Sequence, residues 1–243
     1  MDYIIAISFG LVFGSFGNVV ISRIGKGESV VFPASHCPKC GKSLKWFHNI
    51  PLLSYIFLGG KCAFCREKIG LIYPIVECAT ALLFCAALYK TGANYHAIFA
   101  ALALFCLLCL SVIDFQTLHA PDSVNFAALA LALFATTDLL ANLQNALIVA
   151  GALCLLRMAL SSAIQKEAMG EADIIVGGAM GALLGLLGAL LALYFAALIA
   201  IAPALINRKK GNAQTPFIPF LAIGTLIVFL FGDRIAAILG WNF

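Results

Sequence analysis

Eight stretches of the chain, at 3–21, 73–89, 95–113, 124–136, 146–164, 174–187, 188–206 and 217–231, are nearly free of charged side chains. A helix crossing a bilayer needs about 20 apolar residues, or fewer where the membrane thins locally. With 63% of its residues hydrophobic, 11% charged and a mean hydropathy of +1.04, the chain has more apolar surface than a soluble core of 243 residues can hide. The expected architecture is therefore an all-α integral membrane protein of about eight transmembrane helices. The run from 174 to 206 is too long for one helix, and Gly185-Leu186-Leu187-Gly188 is the turn expected to divide it. The first stretch lacks a basic flank ahead of it and is expected to be a retained helix rather than a cleaved signal.

Basic residues orient this arrangement. All 15 lysines and arginines except Lys90 and Arg234 fall in the loop 22–72, in 157–173 or after Ile206, and with eight spans those three regions share one side. The excess of Lys and Arg makes that side cytoplasmic, with both termini outward. The net charge of +4 is small and its basic residues are grouped at loops, so nucleic acid is not an expected partner.

The loop 22–72 carries a metal signal. Cys37-Pro38-Lys39-Cys40-Gly41 is followed by Cys62-Ala63-Phe64-Cys65, with 21 residues between Cys40 and Cys62. Each pair can grip one ion from a tight turn, and four thiolates close a tetrahedral site suited to structural zinc, with no open position for catalysis. The separation slightly exceeds the usual zinc-ribbon range. Two disulfides are the competing reading, disfavoured in a reducing cytoplasm, and His36 and His48 are nearby alternative ligands. Cys78, Cys85, Cys106, Cys109 and Cys154 lie within apolar runs, where free cysteine serves as a small buried hydrophobe.

Ionisable groups are costly in a bilayer, so each carboxylate at a span is a candidate for function. Asp114 ends the third span and Asp173 begins the sixth, which puts both at the cytoplasmic face although 58 residues separate them. Brought together, one could take a proton from water while the other, protonated, polarises a scissile carbonyl. Helix-end capping and proton relay are the competing readings. Asp122, after Pro121, reads as a cap for the next helix. Glu77, just inside the second span, reads as a buried hydrogen-bonding group or a cofactor contact. Asp2, Asp138 and Asp233 fall in outer loops or termini and are expected to be solvated.

Several ordered blocks resemble the type IV prepilin peptidases, the leader peptidase and N-methyltransferase family. They are Gly14-Ser15-Phe16-Gly17-Asn18-Val19-Val20-Ile21-Ser22-Arg23; the cysteine loop with Asn49-Ile50-Pro51-Leu52-Leu53-Ser54-Tyr55 and Tyr73-Pro74-Ile75-Val76-Glu77; Asp114 with Pro121-Asp122; Glu167-Ala168-Met169-Gly170-Glu171-Ala172-Asp173; and Pro216-Phe217-Ile218-Pro219-Phe220-Leu221-Ala222-Ile223-Gly224. The resemblance implies a bacterial inner-membrane aspartic endopeptidase, with Asp114 and Asp173 catalytic. It implies cleavage of the basic leader from prepilins or pseudopilins, substrates of type IV pilus or type II secretion systems. It also implies methylation of the new N-terminus by S-adenosylmethionine. On this reading the chain divides into a first helix (1–21), a tetracysteine loop (22–72) and a membrane-embedded peptidase core (73–243).

Two departures stand out. Ala172 replaces the second glycine of the family's Gly-x-Gly-Asp, which strains the chain only if that backbone needs positive φ. Ile175 replaces the usual lysine, and Lys166 or Arg157 could supply the missing charge. The rival classes are a proton-coupled transporter, which should show a repeat between halves and mid-membrane polar residues, and a non-catalytic zinc-bearing membrane scaffold.

Overall fold

A computed structural model describes residues 1–165, 169–209 and 215–240. The expected Lys166, the Glu167-Ala168 start of the second aspartate block and Lys210 lie outside the described residues. The described chain is almost wholly helical: α1 (Asp2–Ile24), the short α2 (Leu53–Phe57), α3 (Ile72–Thr91), α4 (Tyr95–Thr117), α5 (Asp122–Leu133), α6 (Leu139–Ile164), α7 (Glu171–Lys209) and α8 (Ile218–Leu239). Helices prevail because a backbone in lipid must satisfy its own hydrogen bonds.

Six of these helices are long and apolar enough to cross a membrane. One of the six, α7, is two helical segments that meet at a kink at Gly185, whose φ of 72° and ψ of 175° are not helical. Only glycine adopts such a backbone cheaply, and the bend falls inside the expected Gly185–Gly188 turn. The expected span 124–136 is corrected. It is the 12-residue α5, about 18 Å long at 1.5 Å per residue and so shorter than a typical hydrocarbon layer. Its turn is held by Asn142, which donates to Leu133 O and accepts from Thr136 Oγ1, both at 2.8 Å. The short helix still returns to the far side: Phe134 O meets the His96 ring at 3.0 Å, and His96 starts α4.

The start of α6 also differs from expectation, at Leu139 rather than near 146. Asp138, expected to be solvated, is its N-cap, accepting from Ala141 N at 3.0 Å. Asp122 shows the reverse: it is the first residue of α5, makes no side-chain cap bond and is exposed. Asp233 is exposed, as expected, and pairs with Lys90 between α8 and the end of α3.

Helix α4 is the hub. Of its apolar stretch 61% is buried, against 17% for α6, whose Leu143, Leu147 and Leu155 face outward as a lipid-facing side chain should. Backbone-to-backbone approach replaces large side chains at other contacts. A Cβ on Gly10 or Gly14 of α1 would lie 2.5 Å from Ala81 Cα or 2.6 Å from Glu77 Cα of α3, and one on Gly181 of α7 2.6 Å from Asn145 O of α6. Helices α4 and α7 are bridged by α5 and by α8, each of which packs on both.

Candidate active site and cysteine loop

Asp114 lies one turn from the end of α4 and Asp173 is the third residue of α7; each is only 7% exposed. The two helix ends meet, and the charge of Asp114 acts on Asp173. A third element completes the junction. Asp114 Oδ2 accepts the Ile218 N–H at 3.1 Å, at the start of α8, where the Phe217 N–H also reaches the carboxylate. Helix N-terminal amides have no partner within their own helix, so α8 has N–H groups free to hold an acid from α4. Asp173 Oδ2 accepts the Gly170 N–H at 3.2 Å, the reach of an N3 acid back to its N-cap. Capping and proximity to Asp114 therefore coexist in Asp173.

The departures from the family pattern are accommodated. Ala172 lies in regular helix and is not among the positive-φ residues, so its methyl adds no backbone strain. Arg157 Nη1 pairs with Glu171 Oε1 at 3.0 Å, which brings a cation to the start of α7, two residues before Asp173.

Glu77 has a definite structural role. Its Oε2 accepts the Leu52 N–H at 2.8 Å, and Ser15 also hydrogen-bonds the carboxylate. Leu52 has φ 57° and ψ −47°, an uncommon conformation for a branched residue. Asn18 Nδ2 donates to Tyr73 O at 3.1 Å and Ser15 Oγ to Asn49 O at 3.5 Å. These bonds tie the Gly14–Arg23 block to the segment between the two cysteine turns and to the start of α3 after them. Sequence reading missed the Ile218 N–H, which no side chain advertises. It also missed Asn125, a polar residue inside the apolar run of α5 and visible as such.

The loop is built from the same unit twice, 25 residues apart. Cys37 N bonds Lys42 O at 3.0 Å and Gly41 N bonds Cys37 O at 2.9 Å; Cys62 N bonds Glu67 O at 2.8 Å and Arg66 N bonds Cys62 O at 3.1 Å. Single β-bridges flank both, His36 to Ser43 and Lys61 to Lys68. The residue after each second cysteine has positive φ, 68° at Gly41 and 60° at Arg66. All four sulfurs lie within 4.8 Å of one another, with Cys37 Sγ to Cys65 Sγ at 3.8 Å. Sulfurs bound at about 2.3 Å to a tetrahedral ion stand about 3.8 Å apart, whereas a disulfide needs about 2.05 Å. All four cysteines are free thiols. The N–H groups of Cys65 and then Phe64 hold the Cys62 thiol down to about 6. At Cys65 the Glu67 N–H pulls the same way, but desolvation and the sulfurs of Cys62, Cys40 and Cys37 outweigh it and push the thiol up to about 11. Crowded thiols thus resist shedding all their protons unless a cation sits among them, and the cluster fits a tetrahedral, thiol-seeking metal ion.

Two cavities open between the membrane helices. One, about 230 Å³, is lined by Leu83, Leu104, Leu107, Pro219 and their neighbours with Ser111 as its polar member; the other, about 200 Å³, has Lys90 and Asp233 at its rim. A charged cofactor such as S-adenosylmethionine needs convergent polar groups: the first cavity offers only Ser111, while the second is lined by Lys90, Thr91, Thr136 and Asp233 beside its apolar residues.

Comparison with known proteins shows the family. Residues 8–91 match the bacterial peptidase A24 N-terminal domain and residues 101–205 match the type IV leader peptidase family. Prepilin leader peptidase/N-methyltransferases are similar over nearly the whole chain. That of Pseudomonas aeruginosa is 33% identical, covering 94% of this chain and 90% of its own; that of Bacillus subtilis is 31% identical, covering 93% of each. That of Neisseria gonorrhoeae is 30% identical over 98% of this chain and 93% of its own. No solved structure matches. The two helix ends that carry Asp114 and Asp173 fall inside the second matched region and the paired cysteine turns inside the first, and the chain belongs to the type IV leader peptidase family.

Proposed function

We propose that this multi-pass membrane protein cleaves the leader from prepilins or pseudopilins, with Asp114 and Asp173 as its catalytic pair. The observation that carries the reading is the burial of these two carboxylates together, at adjoining ends of membrane helices that the chain brings back from 58 residues apart. One carboxylate removes a proton from water as the water oxygen bonds to the scissile carbonyl carbon; the other, protonated, hydrogen-bonds the carbonyl oxygen. The C–N bond then breaks and the amine leaves with a proton returned by the pair. A transporter reading lacks support, because the carboxylates sit at a helix-end junction rather than at mid-membrane.

The distribution of basic residues supports a cytoplasmic carboxylate junction and cysteine loop with both termini outside. A substrate with a basic leader and an apolar membrane helix would present its junction at that interface. Zinc is the ion assigned to Cys37, Cys40, Cys62 and Cys65, on the sulfur spacing and the all-thiol donor set. Its role is to hold the loop, since four protein ligands leave it no open position. Kinship with the prepilin leader peptidase/N-methyltransferases extends the reading to methylation of the new N-terminus, with S-adenosylmethionine as donor.

The deciding experiment is cleavage of a synthetic peptide, a basic leader followed by an apolar segment, by the purified chain in a bilayer. Cleavage at the junction that is lost in both Asp114→Asn and Asp173→Asn supports the proposal; a folded wild-type protein that leaves the peptide intact removes it.

A further inference from the structure

Asn125 is 1% exposed, and neither its Oδ1 nor its Nδ2 has a hydrogen-bond partner. The other buried amides on the described membrane helices are engaged: Asn142 bonds Leu133 O and Thr136 Oγ1, and Asn18 bonds Tyr73 O. Buried Thr80 and Thr225 turn their hydroxyls onto their own helices. An unpaired buried amide costs about 1–3 kcal/mol for each group left unsatisfied, and an apolar side chain of the same size would avoid that cost. Its place in the fold supplies a reason for keeping it.

Helix α5 follows α4 after a four-residue turn, so it begins at the face where Asp114 lies, and Asn125 N–H bonds Pro121 O in its first turn. Helix α7 begins at that face too, so the two helices run parallel. Leu129 Cδ1 of α5 would lie 3.6 Å from a Cβ on Gly178 of α7. One turn back on each helix, Asn125 comes level with Ile174, next to Asp173. Helix α5 packs on both α4 and α7, the two helices that bear the aspartates. On α8, the other bridging helix, the Ile218 N–H bonds Asp114.

We propose that Asn125 is a positioning residue for the hydrolytic step, holding the attacking water beside the two carboxylates. Its Oδ1 accepts one proton of the water in a hydrogen bond while a carboxylate takes the other, so the oxygen lone pair faces the carbonyl carbon. The inference rests on the peptidase reading.

The test uses the full chain in a bilayer with the same leader-bearing peptide. Asn125→Leu should lower kcat about 10- to 100-fold with KM within about twofold, and should leave the melting temperature unchanged or raised, because it removes two orphaned groups. Asn125→Asp keeps an acceptor of the same shape; it should retain measurable cleavage and move one limb of the pH–rate profile by about one pH unit, because a third carboxylate then couples to the pair. The proposal is overturned by an Asn125→Leu enzyme with near-normal kcat, by a kcat loss matched by a fall in melting temperature, or by an Asn125→Asp profile that superimposes on wild type. If Asn125→Leu does not fold, the Asn125→Asp profile decides alone. Asp114→Asn in the same assay separates the two ideas: normal cleavage by that variant removes the peptidase reading, whereas its inactivity beside a fully active Asn125→Leu removes only the role given to Asn125.

Discussion

The cysteine loop and the aspartate junction both gather side chains from distant points in the chain, but over different ranges and with different supports. In the loop, each half of the cluster is a local turn whose backbone bonds span only a few residues, repeated 25 residues on. It has little core of its own: among its described hydrophobic residues only Cys37 and Cys62 are buried, while Trp46, Phe47, Phe57 and Phe64 are exposed. The junction has no local scaffold at all. Asp114, Asp173 and Ile218 meet because α4, α7 and α8 pack, and that packing draws on a buried core running from α1 to α8. The loop should therefore depend on its ion and tolerate changes in the membrane helices; the junction should depend on helix packing and tolerate loss of the ion.

The largest effect tests the junction. Asp114→Asn and Asp173→Asn should each lower cleavage by about a thousandfold or more, with little effect of the second once the first is made, as for groups that act as a unit. Initial rates on the leader peptide measure this, and multiplicative losses in the double variant would break the picture of a pair. Asp122→Asn should keep measurable activity, because Asp122 is exposed and makes no cap bond.

Next comes packing. Gly14→Leu would drive a side chain into the Glu77 backbone and should destabilise the α1–α3 contact by about 1–3 kcal/mol. Thermal unfolding in detergent should show it while the metal content stays at one ion per chain. Loss of the ion in this variant would mean that the two regions are coupled.

Removing the ion should have a smaller effect on the chemistry than on the loop. Elemental analysis should find about one zinc per chain, and Cys37→Ser or chelation should expose the loop to protease while the helical circular dichroism persists. An unchanged digestion pattern would break the claim that the ion orders the loop. The smallest effect sharpens the same claim: Arg66→Gly removes a positive-φ side chain at the position that Gly41 fills in the first turn, and should stabilise the loop against chelator by about 1 kcal/mol.

The sequence alone determined what depends on local pattern. Runs of uncharged residues located the helices, because a backbone in lipid has one economical conformation. The C-x-x-C pairs located the candidate metal site, because the geometry of a tetrahedral thiolate ion is written in a spacing of three residues. Even the bend in α7 was legible, since the run was too long and held the glycines a bend needs. What went wrong was length and capping: 124–136 read as a span and Asp122 as a cap, and the capping role of the exposed Asp138 was not read, because those roles turn on side-chain hydrogen bonds made after the turns form. The tertiary structure alone decided that the Ile218 N–H holds Asp114, that Glu77 holds the strained Leu52, and that Asn125 lies buried without a partner beside Asp173's level. Each of these is a relation between helices, set by how ridges, glycines and bends let them approach, and no window of sequence short enough to read contains both partners.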